Sequence, residues 1–353
     1  MARLKRADEA GGLYRTGQRV PSSSSLAALI LLSAVSLVPR YSCAQRPRLT
    51  QSKPRNSGKL EPLSVASFPG PVIPGLRQKA IPQGIAYARA SKRIIISHYS
   101  DHAPSCLSVL DSVTGRLVSS ATLQEPSGNL HHGHVGGVAV LEDALFVASD
   151  GHVLQYELAP LVKGNPPARV AATAARKCET NASFCAATND LLLVGEFAYG
   201  KDYPTRSSHH SKDRKGVRKY AWVCGYDSAD PLGAPKCVLS VRQRVQGMCV
   251  SGDRVFLSVS YGRRNRSTIV VYRNPIGEPA HKTVKLQRGD EVPLWFLDGD
   301  NYLGEIDFPP MSEGVVMIEN RLAVLSESGA SKYQLGGKGP LDVVVFLDVS
   351  TFK

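Results

Sequence analysis

The chain lacks most of the local signatures that mark a catalytic or cofactor centre. It has no GxSxG nucleophile elbow, and no cysteine has a histidine neighbour suggestive of activation. No glycine-rich loop follows a strand and opens a helix, which argues against a nucleotide cofactor. HExxH and CxxC are both absent, so no structural zinc is expected. Aromatic residues make up only 7%, and no nucleic-acid motif accompanies the net charge of +13. The basic loops, such as Arg263-Arg264-Asn265-Arg266, are therefore read as solvated or aimed at an acidic ligand. Nucleic acid is not expected as a partner.

Long apolar runs are scarce too. The uncharged stretch at residues 26–38 is thirteen residues long, short of the ~20 a membrane helix needs. It follows a basic lead and precedes Ser42-Cys43-Ala44, a pattern that predicts a secretory signal peptide over residues 1–44, cut after Ala44. The length of the basic lead keeps an uncleaved membrane anchor open as the alternative. Arg40, three residues before Cys43, excludes a lipoprotein signal. Residues 45–59 are rich in Pro, Arg and Ser without periodicity and read as a disordered linker. The folded domain is expected over residues 60–353, as a monomer with no membrane span once the signal is cut.

Removal of Cys43 would leave six cysteines, an even number compatible with disulfides in an exported chain. Cys224 with Cys237 is the first expected pair and Cys178 with Cys185 the second. Cys185 and Cys249 also read as small core residues. Asn181 and Asn265 each begin an N-x-Ser/Thr tripeptide, which matters only in a glycosylating host.

What the chain does have is repetition. GVAVLEDALFVAS from Gly137, GMCVSGDRVFLSV from Gly247 and GVVMIENRLAVLS from Gly314 align without a gap. SFCAATNDLLLVG from Ser183 is a fourth copy, and Gly84 begins a fifth with a longer turn. Successive copies are 53, 46, 64 and 67 residues apart, counted from positions 84, 137, 183, 247 and 314. Self-similarity on that scale signals a repeat architecture. Each copy is an apolar strand, a tight turn and a second apolar strand. Third β-rich runs follow at residues 107–111, 153–158, 220–226, 268–273 and 343–348. Fourth runs follow at 117–123, 238–241 and 283–286. Four short antiparallel strands per unit make the blade of an all-β propeller. Five blades are read, with a sixth possible if residues 294–309 form an extra hairpin turning at Asp298-Gly299. Residues 63–68 are expected to supply the last blade's missing strand and close the ring.

Blade topology sorts the loops onto two faces. The face carrying the turns between first and second strands holds brief turns of ordinary composition, and no chemistry is expected there. The other face carries Gln83, His134, Asn181, Gln246 and Glu313 just before the first strands. After the second strands it carries His98, His102, Glu196, Arg263 and Glu327. Of nine histidines, eight fall in or beside these loops. His and carboxylate groups gathered at a channel mouth can act as general acid and base or hold a divalent metal. His98, His134 and Glu196 are the catalytic candidates. Gln83, His102, Gln246, Arg263 and Glu327 are the ligand-binding candidates. Gln83, Gln246 and Glu313 have an equal structural reading, bonding free backbone N–H groups at the mouth.

The phrases PQGIAY, GHVGGVAV, VQGMCVSGDRVFLSVS and MSEGVVMIENRLAVLSES resemble blade signatures of the strictosidine-synthase and gluconolactonase-like propellers. The chain is also similar to secreted bacterial propeller proteins of uncharacterised function. The lactonase branch implies a channel metal held by Glu, Asn and Asp, to which only Glu313 and Asn181 correspond here. No Asp matches, and five copies depart from that family's six blades. The expected function is binding of a small-molecule or carbohydrate-like ligand at the mouth, with hydrolase or lyase chemistry. A non-catalytic extracellular interaction module is the alternative.

Overall fold

Each copy of the repeated phrase forms an antiparallel pair, because β-branched and aliphatic residues alternate with a turn that admits left-handed backbone. Glu142, Gly252 and Glu319 take φ values of 52°, 59° and 51° at matching turn positions. Positive φ there matches the twist of the flanking strands. The computed structural model describes residues 48–54, 60–163, 167–333 and 339–352. The expected signal peptide lies outside them. Among the described residues, no helix is long and apolar enough to cross a membrane.

The strands form a five-bladed β-propeller. Blade 1 comprises Ile81–Ala88, Arg93–Tyr99, Cys106–Asp111 and Leu117–Gln124, from the axis outward. Blade 2 comprises Gly137–Leu141, Ala144–Ser149, His152–Glu157 and Ala174–Lys177. Blade 3 comprises Phe184–Ala187, Leu191–Gly195, Ala221–Asp227 and Pro235–Val241. Blade 4 comprises Val245–Ser251, Arg254–Val259, Ser267–Arg273 and Tyr302–Phe308. Blade 5 comprises Ser312–Ile318, Arg321–Ser326 and Val343–Leu347, and its outer strand is Ser67–Val72 from the start of the domain. The closing strand thus begins four residues beyond the expected residue 63, and only Ser67 and Phe68 belong to both.

Five apolar clusters fill the five gaps between neighbouring blades. A single blade leaves both faces bare, so burial requires the ring. The repeat glycines explain how tightly it closes. A Cβ on Gly84 would stand 2.6 Å from Val138 N, on Gly137 2.3 Å from Cys185 N, and on Gly314 2.8 Å from Ile85 N. Each glycine is where one first strand abuts the next blade's backbone. Below this constriction the channel widens into a cavity of about 220 Å3, reaching Tyr87, Arg89, Ser251 and Glu319. It therefore opens on the short-turn face, where only ordinary turns were expected.

Two blades share a device absent from the repeat pattern. Between the third and fourth strands of blade 2, Arg169–Ala171 pairs in parallel with the outer strand of blade 1. In blade 4 the hairpin of Lys282–Lys285 and Glu291–Phe296 pairs in parallel with the outer strand of blade 3. Both detours cover an otherwise open sheet edge. They also correct two expectations. Residues 283–286 are not the fourth strand of blade 4, and residues 294–309 do not form a hairpin. Phe296 ends a strand of one sheet and Tyr302 begins a strand of another. Between them Asp298 is buried and receives two hydrogen bonds from Arg214, at 2.8 and 2.6 Å.

No disulfide forms among the six described cysteines, all of which are buried. Cys237 pairs across from Gly225, one residue along from Cys224, so the two side chains emerge on opposite faces of the blade. Cys224 lies in the gap between blades 2 and 3, Cys237 in the gap between blades 3 and 4. Cys178 and Cys185 share one gap but engage different carbonyls, those of Arg176 and Phe146. Part of the expected linker is packed. Leu49 is buried against Ala80 and Cys106, and the Gln51 side chain bonds Val72 O, Gly115 O and Leu117 N.

Candidate functional site

Glu313 is the second residue of the first strand of blade 5 and Glu327 follows its second strand, so the hairpin register brings both to one end. Glu313 is buried, Glu327 is half-buried, and a hydrogen bond joins their carboxyls. Burial raises both pKa values. That of Glu327 reaches about 7, while that of Glu313 is pushed well above its usual range by burial and by the neighbouring Glu327 charge. Both shifts favour the protonated forms, that of Glu313 through burial and the Glu327 charge, that of Glu327 through burial. Gln83, from the adjacent blade 1, donates from Nε2 to Glu327 Oε2 at 3.0 Å.

A donor chain converges on the same carboxylate. Lys332 Nζ lies 3.3 Å from Tyr99 Oη and 3.0 Å from Asp101 Oδ1. The Tyr99 and Tyr333 hydroxyls are 3.2 Å apart, and Tyr333 is near enough to Glu327 to oppose the rise in its pKa. Because an ammonium only donates, the polarity that satisfies every group runs from Lys332 through Tyr99 and Tyr333 to Glu327. His134 stacks on Tyr99 with ring centroids 4.1 Å apart, its backbone N–H held by Asp150 Oδ2 at 2.9 Å. Partial desolvation lowers the His134 pKa against the pull of Asp150, which favours a neutral ring. The Arg263 guanidinium lies 4.9 Å from the centre of the Tyr333 ring. Gln83, Glu313, Glu327, His134 and Arg263 thus belong to one connected constellation on the expected face.

The other expected site residues lie elsewhere. His98 is fully buried inside blade 1, with Nε2 2.8 Å from Ser108 Oγ. Glu196 is buried beneath the long loop of blade 3. Its oxygens accept from Trp222 N at 3.0 Å and Asn181 N at 3.3 Å, and meet His209 Nδ1 at 2.7 Å. His209 stacks on Trp222, with 4.0 Å between centroids. His102 is exposed beside Asp101. Gln246 is half-buried at the glycine constriction, beside Gly84, Gly137 and Gly314. Asn181 and Glu313 engage different partners in different blades. Among the described residues, no group of three or more His, Cys, Asp or Glu side chains is placed to hold a metal ion. Tyr333 and Lys332 were not singled out from sequence. The available signal was their position in the loop that Glu327 begins.

No protein-family model matches the chain, and no curated protein matches it. Solved structures to which it is similar include the glutaminyl cyclase of Myxococcus xanthus, at 10% identity over 81% of this chain and 96% of that one, TM-score 0.44. Another is a GH43_1 enzyme of Xanthomonas citri, at 11% identity over 80% and 90% of the two chains, TM-score 0.43.

Proposed function

We propose that this face binds a carbohydrate-like ligand and that Glu327 accepts a proton from it. The supporting observation is the carboxyl pair itself: burial raises both pKa values, that of half-buried Glu327 to about 7. A base works best when its pKa lies near the working pH. Glu313 is a positioning residue, because its carboxyl lies against that of Glu327. Tyr333 and Gln83 orient the same carboxylate. Hydrolysis of a glycosidic bond by two carboxylates needs them roughly 5 Å or more apart, with the sugar or a water between. Carboxyls joined by a hydrogen bond leave no such gap, which favours proton abstraction, a lyase-type step, over hydrolysis. Lys332, Arg263 and neutral His134 border the pair and would contact the ligand.

The test is a panel of neutral and acidic oligosaccharides, screened for binding by calorimetry and for new double bonds by ultraviolet absorbance. A turned-over member should show a rate that rises with pH through about 7. Glu327→Gln should abolish turnover, by at least about 100-fold, while retaining binding. Equal turnover by Glu327→Gln would overturn the reading. Binding without turnover across the panel would overturn it in favour of a non-catalytic interaction module.

A further inference from the structure

Next to this constellation the same face carries a group of aromatic side chains that the carboxyl pair does not use. Phe197, Tyr199 and Tyr203 come from the long loop of blade 3, and Tyr261 follows the second strand of blade 4. Tyr199 and Tyr261 rings lie 3.9 Å apart between centroids, Phe197 and Tyr203 5.1 Å, and Phe197 and Tyr261 6.3 Å. Phe197, Tyr199 and Tyr261 are half-buried, and Tyr203 is 51% exposed. Large aromatic area left open at a channel mouth is costly unless something covers it.

The cluster is rigidly built. Tyr199 and Tyr203 exchange two backbone hydrogen bonds of 3.0 Å. Arg244 is held at φ 67°, a left-handed backbone that an L side chain rarely adopts. Its N–H bonds Ala198 O and its carbonyl accepts from Ser260 N, both at 2.9 Å, so this one residue ties together the two loops that carry the rings. Its guanidinium carbon lies 4.6 Å from the centre of the Tyr199 ring, and its buried Nε has no hydrogen-bond partner. Asn265 Nδ2 fixes Tyr261 O at 2.8 Å. One residue past Gly262, Arg263 lies over Tyr333, whose hydroxyl meets that of Tyr99. The aromatic group of Tyr203 and Tyr261 is thus two residues of chain from a second group of Arg263, Tyr333, Tyr99 and His134.

We infer that this arc is the binding track for an acidic oligosaccharide, with sugar rings stacked on Tyr203 and Tyr261 and its carboxylate or sulfate groups paired with Arg244 and Arg263. The inference rests on the carbohydrate reading above and names the substrate class. Flat apolar faces of sugar rings pack on aromatic rings, while guanidinium groups beside them pair with carboxylates or sulfates. The arc passes from one blade's loops to another's, which suits several linked sugars rather than one. Asp202, exposed at the tip of the 199–203 turn and close enough to act on the Tyr261 phenol, offers an acceptor for ring hydroxyls.

The experiment is calorimetric titration of the wild-type protein, Tyr261→Ala, Arg244→Gln and Glu157→Gln, an exposed residue on the short-turn face. The ligands are oligogalacturonate, neutral cello-oligosaccharide of the same length, and polyphosphate. Oligogalacturonate should bind at least ten-fold more tightly than the neutral chain, and weaken as salt rises. Tyr261→Ala and Arg244→Gln should each weaken it ten-fold or more, while Glu157→Gln binds as wild type. Equal binding of neutral and acidic chains would overturn the inference. So would polyphosphate and oligogalacturonate binding alike with Tyr261→Ala unaffected, since only diffuse charge would then be at work. Turnover of neutral chains alone would sink the substrate class but leave the proton-transfer reading standing. Circular dichroism of each variant separates lost binding from lost fold.

Discussion

Glu196 and Glu327 occupy the same position in two copies of the repeat, yet their surroundings give them opposite chemistry. Glu196 has Trp222 N–H, Asn181 N–H and the His209 ring about it, so its charge is satisfied and its role is to hold a loop. Glu327 sits in a partly desolvated site, and burial raises its proton affinity against the pull of Gln83, Lys332 and Tyr333. The linkage follows from that direction. A carboxyl whose folded pKa exceeds its unfolded value stabilises the fold below the unfolded value, and that contribution is lost as pH rises through the folded one. Between an ordinary carboxyl value of 4.5 and about 7 the pair should thus lose stability, on the order of 1–2 kcal/mol after discounting for the exposure of Glu327. Glu313→Gln keeps the hydrogen bond to Glu327 without a second titrating acid. Chemical denaturation from pH 4.5 to 8 should show a flatter curve for this variant, with stability above wild type at pH 8. A steeper curve would mean that Glu313 is ionised. Sequence reading placed Glu313, Glu327 and Gln83 at one end of the blades because the repeat fixes which loop each occupies. It could not separate Glu196 from Glu327, because three long-range partners decide the difference.

At the scale of elements, the hairpin of each repeat was fully legible. Period-two alternation and a turn with positive φ are local properties. Third strands were also found to within a residue or two. Of the fourth strands, 117–123 and 238–241 were found, the second three residues short at its start, but 283–286 was not one, because an outer strand is half exposed and its partner edge is chosen by the path of the chain. Residues 282–296 have ordinary strand composition, and only the open edge of blade 3 determines that they pair there. Disulfide expectation failed for a related reason. Spacing put Cys224 and Cys237 on neighbouring strands, but register puts their side chains in different inter-blade gaps. The thiols should accordingly be inert. Burial pushes Cys178 and Cys237 up to about 11 and Cys185 and Cys249 up to about 12. A thiol reagent should label none of the six in the folded protein at pH 8, and all six after denaturation without reductant. Fewer labelled after denaturation would reveal a disulfide.

For the whole molecule, closure is the cooperative step. Each inter-blade cluster needs both neighbours, and Ser67–Val72 joins the two ends of the chain by pairing with Val343–Leu347. Removing residues 1–72 should lower the melting temperature by on the order of 10 °C or more and broaden the transition. A sharp, unshifted transition would show that blade 5 stands without its outer strand. Crowding at the glycine constriction has the same cause. Gly137→Ala should cost about 2–4 kcal/mol, since its methyl meets backbone of the next blade that cannot retreat without opening the ring. Sequence alone determined the repeat, the blade and the face on which polar loops gather, because these follow from local periodicity and the alternation of strand direction, whereas the choice of five blades over six came from the structure. Tertiary structure decided which acids share a proton, which cysteines face each other and which strand covers which edge. Those depend on groups far apart in the chain that meet only when the ring is closed.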